Sequence, residues 1–318
     1  MIKDQQQRTF EKLRISLNEY CNFSCAYCVD PIREKKQWNK AHPGKLTTVD
    51  YLNIVEKLRE FVPIDYIRLT GGEPLLNKEL DILIGGLKQI GISKVSLTTN
   101  AFLLENQAGK LRDSGLDSIN ISLDAVEQEA FEAITGEKDL DKVLRGIERS
   151  VILGIPIKLN SVIMRGINDH QVLPLLEFGR TLNISVRYIE LMKMGWVSAQ
   201  FEEYFYSARE ILNDIGSKYS FSELNRARSS TANLWEINDG YRFGIIANES
   251  KSFCHDCNRL RLDSFGKIFG CLSNPMGIQL LDILNDEKKV NETLQLALGQ
   301  KQKEKFTGSD LSMLKIGG

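Results

Sequence analysis

The sequence has 318 residues, 42% hydrophobic and 26% charged, which is enough to bury one large core or a core with a smaller appended unit. Lys and Arg total 41 against 42 for Asp and Glu, and the net charge of -1 excludes a global field that would attract nucleic acid or an anionic membrane. The N-terminal segment is polar and lacks the apolar region of a signal peptide. We therefore expect a cytoplasmic protein with no nucleic-acid or membrane partner, in which local basic clusters bind any anionic substrate.

Short apolar runs alternate with amphipathic stretches from about residue 12 to 190. The stretch 49–62 places its apolar residues at helical spacing on one face. Strands are predicted at 13–17, 66–70, 94–100, 118–124, 157–163 and 186–191. Six such repeats with parallel strands predict an α/β fold, a partial (βα)6 barrel of the TIM type over residues 6–220. The weaker pattern that follows predicts a smaller α+β domain over residues 221–318, packed against the first.

Three cysteines directly follow the first predicted strand, as Cys21, Cys25 and Cys28 in EYCNFSCAYCVD. Because the cytosol keeps thiols reduced, this spacing argues for a metal site rather than disulfides. Three thiolates on one loop suit a [4Fe–4S] cube with one iron left open. The alternatives are buried cysteines, which would follow strand or helix periodicity, and a zinc site, for which His42 and His170 lie too far along the sequence to be the fourth ligand.

The segment CNFSCAYC resembles the signature loop of the radical S-adenosylmethionine (SAM) superfamily. The resemblance implies that the amino and carboxylate groups of SAM chelate the open iron, and that Tyr27 lies against the cofactor. A packing role for Tyr27 beside the cluster is compatible with this. GGEP at 71–74 then resembles the superfamily's site for the SAM amino group, which includes Gly72. Alone, this tetrapeptide would be a common turn between a strand and a helix.

Ser122 and Met192 lie at or just beyond the ends of the fourth and sixth predicted strands. Barrels of this class place their sites at the carboxyl ends of strands. We therefore expect Ser122 to bond the ribose or carboxylate of SAM and Met192 to lie against its adenine. Without the family resemblance, the two residues would be a turn residue and a core residue.

A second triad, Cys254, Cys257 and Cys271, surrounds a predicted β-hairpin that turns at 264–266. From spacing alone, a zinc ribbon and an iron–sulfur cluster are both open, although His255 lies awkwardly between two of the cysteines. The division of six cysteines into two equal triads favours a second [4Fe–4S] cluster with an open iron. Arg259 and Arg261 share one face of the following strand, and beside an open iron they would bind a ligand that carries negative charge.

The combination resembles the GTP 3′,8-cyclase family over nearly the whole chain, from LRISL and IRLTGGEPLL to SFCHDCNRLRLDSFGKIFGCL and the terminal Gly317-Gly318. The residues that match the family's GTP-binding positions are Arg14, Arg68, Thr99, Lys158, Arg187, Arg259 and Arg261. Four of these cations fall on predicted strands, so they can converge inside a barrel and bind a triphosphate.

The family resemblance also implies the reaction, the first step of molybdenum cofactor (molybdopterin) biosynthesis. A one-electron donor such as flavodoxin or ferredoxin reduces the first cluster, SAM yields a 5′-deoxyadenosyl radical, and this radical removes the ribose 3′ hydrogen of GTP. The substrate radical then attacks guanine C8, while the second cluster binds the guanine. Cyclic pyranopterin monophosphate synthase acts downstream, and a homodimer is compatible with the family.

Several positions depart from the family pattern. Val29-Asp30-Pro31 replaces Met-Pro, Tyr66 replaces a lysine that helps to bind substrate, and Asn77-Lys78 replaces a basic pair. The lost positive charge leaves open a paralogue that modifies a peptide or another substrate. A different alternative is a non-catalytic iron–sulfur or zinc redox module, against which GGEP and the barrel-like repeat argue. The terminal glycines either thread towards the site, as in the family, or form a frayed end.

Overall fold

The computed structural model describes residues 1–29, 46–309 and 312–316. Six parallel strands occupy the middle of one sheet in chain order, which confirms the predicted parallel α/β core. They are β1 (Lys12–Ser16), β2 (Tyr66–Thr70), β3 (Lys94–Thr99), β4 (Ser118–Ser122), β5 (Ile157–Ile163) and β6 (Ser185–Glu190). Each begins and ends within two residues of its predicted bounds.

Helices follow these strands, and the longer ones pack against one face of the sheet. The helices are α1 (Thr48–Phe61), α2 (Leu80–Gln89), α3 (Leu104–Asp113), α4 (Gln128–Thr135), α5 (Leu140–Ile152), α6 (Val172–Thr181), α7 (Phe201–Tyr204), α8 (Ala208–Gly216), α9 (Glu287–Gly299) and α10 (Met313–Ile316). A capping box between Thr47 and Asp50 begins α1, and its predicted apolar face is buried. Within the described ranges, none of the helices is long and apolar enough to cross a membrane.

The alternation of side chains along each strand separates the core from the inner face of the sheet. Leu13 and Ile15 of β1 are fully buried in the main core cluster. Lys12, which precedes Leu13, and Arg14, which lies between Leu13 and Ile15, are only half-buried. Their side chains therefore belong to the opposite face of the sheet. β2 repeats this pattern. Basic side chains consequently line the face that the helices leave open.

The C-terminal strands extend the same sheet at both edges. They are β7 (Phe221–Leu224), β8 (Asn233–Ile237), β9 (Arg242–Ile246), β10 (Arg259–Leu262), β11 (Lys267–Phe269) and β12 (Ile278–Gln279). β9 pairs in parallel with β6, and β10 pairs in parallel with β1. Strands β12 and β7 are the outer edges, so the sheet of the described residues is open. The division into domains at residue 220 stays a prediction, because the sheet continues across it.

Candidate functional site

One cavity on the inner face of the sheet brings together both cysteine triads and most of the predicted binding residues. The space within its walls and its open mouth together is about 2010 Å³. The predicted residues in its wall are Tyr27, Gly72, Ser122, Met192, Arg14, Arg68, Thr99, Arg187, Arg259 and Arg261. Both triads and these predicted residues therefore face one continuous space.

The loop of the first triad is fixed against the end of α4. Ser24 N donates to Thr135 O at 3.0 Å, and Ala26 N donates to Ile134 O at 2.7 Å. Cys21 Sγ accepts from Phe23 N at 3.4 Å and from Asn100 Nδ2 at 3.6 Å. Donors of this kind stabilise a sulfur that carries negative charge.

Tyr27 is held in the cavity by a buried carboxylate that sequence reasoning missed. Its hydroxyl donates to Asp124 Oδ2 at 2.9 Å, and Val162 N donates to Asp124 Oδ1 at 2.8 Å. Burial raises the pKa of Asp124 to about 6, although both hydrogen bonds oppose this shift. The signal for Asp124 was present in INISLDA, two residues after Ser122.

The GGEP turn is joined to the segment that leads into the first triad. Gly72 N donates to Asn18 O at 2.9 Å, and Glu73 N donates to Tyr20 O at 2.8 Å. A Cβ atom at residue 72 would lie only 1.9 Å from Tyr20 O. Only glycine allows the two backbones to approach so closely.

Glu73 connects this turn to β3 and was also missed as an individual residue, although GGEP contains it. Its side chain is 1% exposed and accepts from Thr99 Oγ1 at 2.7 Å, Leu75 N at 2.9 Å and Asn100 N at 2.9 Å. Burial raises the pKa of Glu73 to about 7, against the effect of these hydrogen bonds. Thr99, predicted to bind GTP, therefore donates its hydroxyl to Glu73.

The second triad is formed around the predicted hairpin. β10 and β11 pair antiparallel, and Asp263 Oδ1 accepts from Phe265 N at 2.9 Å and from Lys267 N at 2.8 Å within the turn. Cys271 follows β11, so it returns to the end of the hairpin that carries Cys257. All three cysteines of this triad line the cavity.

Two cations contact one sulfur of this triad. Arg259 Nη1 and Lys301 Nζ each lie 3.5 Å from Cys257 Sγ. Burial alone would raise the pKa of Cys257, but the charges of Lys301 and Arg259 lower it to about 6. Sequence reasoning missed Lys301, because nothing near it in the sequence points to the triad.

Three arginines form a row across neighbouring strands. Arg14 of β1 is in register with Arg261 of β10 on one side and with Arg68 of β2 on the other. Burial, and then the charges of Arg261 and Arg68, lower the pKa of Arg14 well below its usual value. Such a buried group of like charges is unfavourable until an anion joins it.

The row of arginines lies between the two triads along the strand direction. The first triad follows the carboxyl end of β1, and Cys257 precedes the amino end of the parallel neighbour β10. The cavity therefore has three cysteines towards each end and the arginines in its middle.

Several polar atoms in the wall have no hydrogen-bond partner among the described residues. They are Thr98 Oγ1, Asn160 Oδ1 and Arg187 Nε. Asn160 is in register with Ser122 of β4 and Arg187 of β6. Buried polar atoms are normally paired, so these atoms face a position for a polar ligand. Thr98 and Asn160 were missed because strand alternation alone does not distinguish a ligand-facing polar residue.

Two family models and several curated relatives match the chain. The Radical SAM superfamily model matches residues 15–179, and the Molybdenum Cofactor Synthesis C model matches residues 184–307. A protein of Campylobacter curvus named GTP 3′,8-cyclase is 34% identical over 96% of this chain and 94% of its own length. One of Clostridium botulinum with the same name is 35% identical over 99% of both. The chain belongs to the GTP 3′,8-cyclase family.

Two solved structures with bound S-adenosylmethionine share the fold of this GTP 3′,8-cyclase family member. Streptococcus suis SuiB bound to S-adenosylmethionine has a TM-score of 0.63 at 15% identity, covering 90% of this chain and 68% of its own. Native anSMEcpe with bound AdoMet and the Kp18Cys peptide has a TM-score of 0.61 at 14% identity, covering 90% and 83%. At these identities the likeness concerns the fold alone.

The residues present fit the groups that the GTP 3′,8-cyclase family implies. Each triad supplies thiols on a fixed loop, and donors already point at Cys21 Sγ and Cys257 Sγ. In the described part of the chain, no three His, Cys, Asp or Glu side chains converge closely enough to hold one metal ion. Three thiolates on one loop are the kind of ligands that hold an iron–sulfur cube.

Three further predictions concern Lys158, the C-terminal segment and the residues that follow Cys28. Lys158 is half-buried on β5, in register with Asn120 and Ser185, and stands outside the cavity wall. Its role in binding GTP stays a prediction. Ser312 Oγ donates to Cys28 O at 3.2 Å, so the C-terminal segment reaches the first triad. The predicted tail Gly317-Gly318 and the departure at Asp30-Pro31 lie outside the described residues.

Proposed function

We propose that this protein is a GTP 3′,8-cyclase, a radical SAM lyase. It converts GTP into (8S)-3′,8-cyclo-7,8-dihydroguanosine 5′-triphosphate in the first step of molybdenum cofactor biosynthesis. One arrangement carries the proposal: two cysteine triads face a single cavity, and the row Arg261, Arg14 and Arg68 lies between them. A generator of radicals needs one such triad, whereas a nucleotide substrate explains the second triad and the cations.

In this proposal, Cys21, Cys25 and Cys28 hold the first cluster. SAM lies at the carboxyl ends of the strands, in contact with Tyr27, Gly72, Ser122 and Met192. When bound, the cluster and SAM supply the one-electron chemistry that begins the reaction. Asp124 fixes the ring of Tyr27 through its hydroxyl, and Glu73 fixes Thr99. The buried strands that carry these residues make the site rigid before any ligand binds.

The cations bind the triphosphate. Burial and the charge of Arg68 lower the pKa of Arg187 to about 10, and burial also lowers the pKa of Arg261 to about 10. A bound triphosphate would restore these pKa values, so part of the repulsion among the cations becomes affinity for the anion. Arginine side chains also bind phosphate oxygens in pairs, which fixes the ribose relative to SAM.

The second cluster on Cys254, Cys257 and Cys271 is part of the proposal, with zinc as the alternative. The division of the six cysteines into two equal triads and the cations at Cys257 Sγ support an iron–sulfur group. Metal analysis of anaerobically reconstituted protein separates the two: about eight irons per chain support two cubes, and about four irons with one zinc support a ribbon.

The deciding experiment is a turnover assay without oxygen. Reconstituted protein is mixed with SAM, dithionite and GTP, and the products are analysed by mass spectrometry. We expect 5′-deoxyadenosine together with the cyclised nucleotide. A parallel reaction with ATP tests selection of the base. Formation of 5′-deoxyadenosine without a product from GTP would keep the radical SAM assignment and contradict the cyclase.

The partners belong to the same proposal. A one-electron donor of the flavodoxin or ferredoxin type reduces the first cluster, and cyclic pyranopterin monophosphate synthase consumes the product. A homodimer and a cytoplasmic location stay predictions, as do the domain bounds 6–220 and 221–318.

A further inference from the structure

A phenol stands beside the cations of the cavity, just outside the cavity wall. Tyr66, the first residue of β2, is half-buried and in register with Lys12 of β1 and Lys94 of β3. Arg68 Nη2 donates to the Tyr66 hydroxyl at 2.8 Å, and the hydroxyl also lies 2.9 Å from Ser96 Oγ. Arg68 in turn lines the cavity. The phenol therefore touches a residue of the arginine row directly.

Positive groups face Tyr66 from every strand around it. Arg68 and Lys94 lie over its ring at 5.7 Å and 5.8 Å from the centroid. The charge of an ionised Tyr66 would raise the pKa values of Lys12, Arg14, Lys158 and Arg187. The exposed Glu11 is a further acidic neighbour of Lys12. Arg259 and Arg261 of β10 add positive charge to this group and lower the pKa of Arg14.

We propose that Tyr66 is a positioning residue of the anion site, which holds Arg68 in place and, when ionised, competes with a bound polyphosphate for the same cations. The inference rests on the proposed function only in that it takes the triphosphate to bind at the arginine row. It adds a dependence of substrate affinity on the charge of one side chain.

Ionisation of this phenol falls within an accessible pH range. Burial alone would raise the pKa of Tyr66, but the charge of Arg68 and hydrogen bonds from Ser96 and Arg68 lower it to about 8. Above this pH, the phenolate neutralises part of the cation cluster, and affinity for an anion falls. A bound triphosphate adds negative charge nearby and raises the pKa of Tyr66. The two effects are equal in size because coupling between two binding events is reciprocal.

The test uses full-length, cluster-loaded protein and inorganic triphosphate as the probe. Phenolate absorbance is followed against pH as the difference between wild type and Tyr66→Phe. We expect a step near pH 8 that triphosphate moves up by about one pH unit. Between about pH 7 and 9, the dissociation constant of triphosphate should rise about fivefold more in wild type than in Tyr66→Phe.

A second variant, Ser96→Ala, tests the same inference in a protein that retains Tyr66. Ser96→Ala removes one hydrogen bond to the phenol, so the step should move to higher pH, and triphosphate should bind more tightly at about pH 8 than in wild type. A step that saturating triphosphate leaves unmoved overturns the inference while keeping the anion site. Failure of triphosphate to bind at any pH overturns both the inference and the substrate of the proposed function.

Discussion

Lys301 Nζ lies 3.5 Å from Cys257 Sγ and donates a hydrogen bond to it. The lysine also donates to the backbone oxygen of Arg259, so it cannot turn away without losing a second bond. Burial, opposed by the negative charges of Cys257 and Cys271, lowers the pKa of Lys301. A buried cation beside a ligand sulfur favours the more negative, reduced state of the group bound there.

Replacement of Lys301 should therefore change the redox properties of the proposed second cluster. We expect Lys301→Met to lower its midpoint potential by on the order of 60 mV, equivalent to a tenfold change in a one-electron equilibrium. Lys301→Arg should recover most of the value. The measurement is an anaerobic redox titration followed by electron paramagnetic resonance, with iron content as a check. An unchanged potential at full iron occupancy would contradict an electrostatic role.

Replacing Arg14 tests whether this residue lowers the stability of the fold while it strengthens the binding of GTP. Because Arg14 is half-buried among like charges, Arg14→Met should raise the free energy of unfolding of ligand-free protein by about 1 kcal/mol. The same change should weaken binding of GTP by about tenfold to a hundredfold, since a charge-assisted hydrogen bond is lost. Chemical unfolding and calorimetry measure the two effects. Arg112→Met is the control, because Arg112 is exposed and pairs with its neighbour Asp113.

Much of this site could be predicted from the sequence because its residues lie in short segments. The strands with alternating burial, such as β2, and the two cysteine loops are local features, and their bounds agree with the structure. The joining of β9 to β6 and of β10 to β1 depends on pairing between distant segments, which local periodicity does not encode. Asp124 and Lys301 were missed for the same reason: their partners lie 97 and 44 residues away.

Gly72 should be intolerant of any side chain. In Gly72→Ala the new Cβ would lie 1.9 Å from the backbone oxygen of Tyr20, so the GGEP turn and the first cysteine loop must separate. We expect a loss of about 1–3 kcal/mol in the free energy of unfolding and less iron in the first cluster. Gly85→Ala is the matched control. Gly85 lies inside α2 with no atom within 4 Å of an added Cβ, and alanine should stabilise that helix by roughly 0.5–1 kcal/mol.

Glu73 predicts a dependence of stability on pH. Its pKa rises from 4.5 to about 7 on folding, so between these values the folded chain holds a proton that the unfolded chain has lost. The contribution of Glu73 to stability is therefore complete below about pH 4.5 and is lost as the pH rises to about 7, a difference of about 3 kcal/mol. Chemical unfolding of cluster-free protein across this range should show the decline in wild type.

The variant Glu73→Gln isolates this effect. Glutamine does not titrate, so the decline in stability between about pH 4.5 and 7 should disappear. The variant is less stable throughout, because the NH2 group of its side chain faces a hydrogen-bond donor and cannot accept from it. The control is Glu11→Gln, since Glu11 is exposed. If Glu73→Gln and wild type lose stability in parallel over this range, another group causes the decline, and Glu73 is ionised in the folded chain at acidic pH.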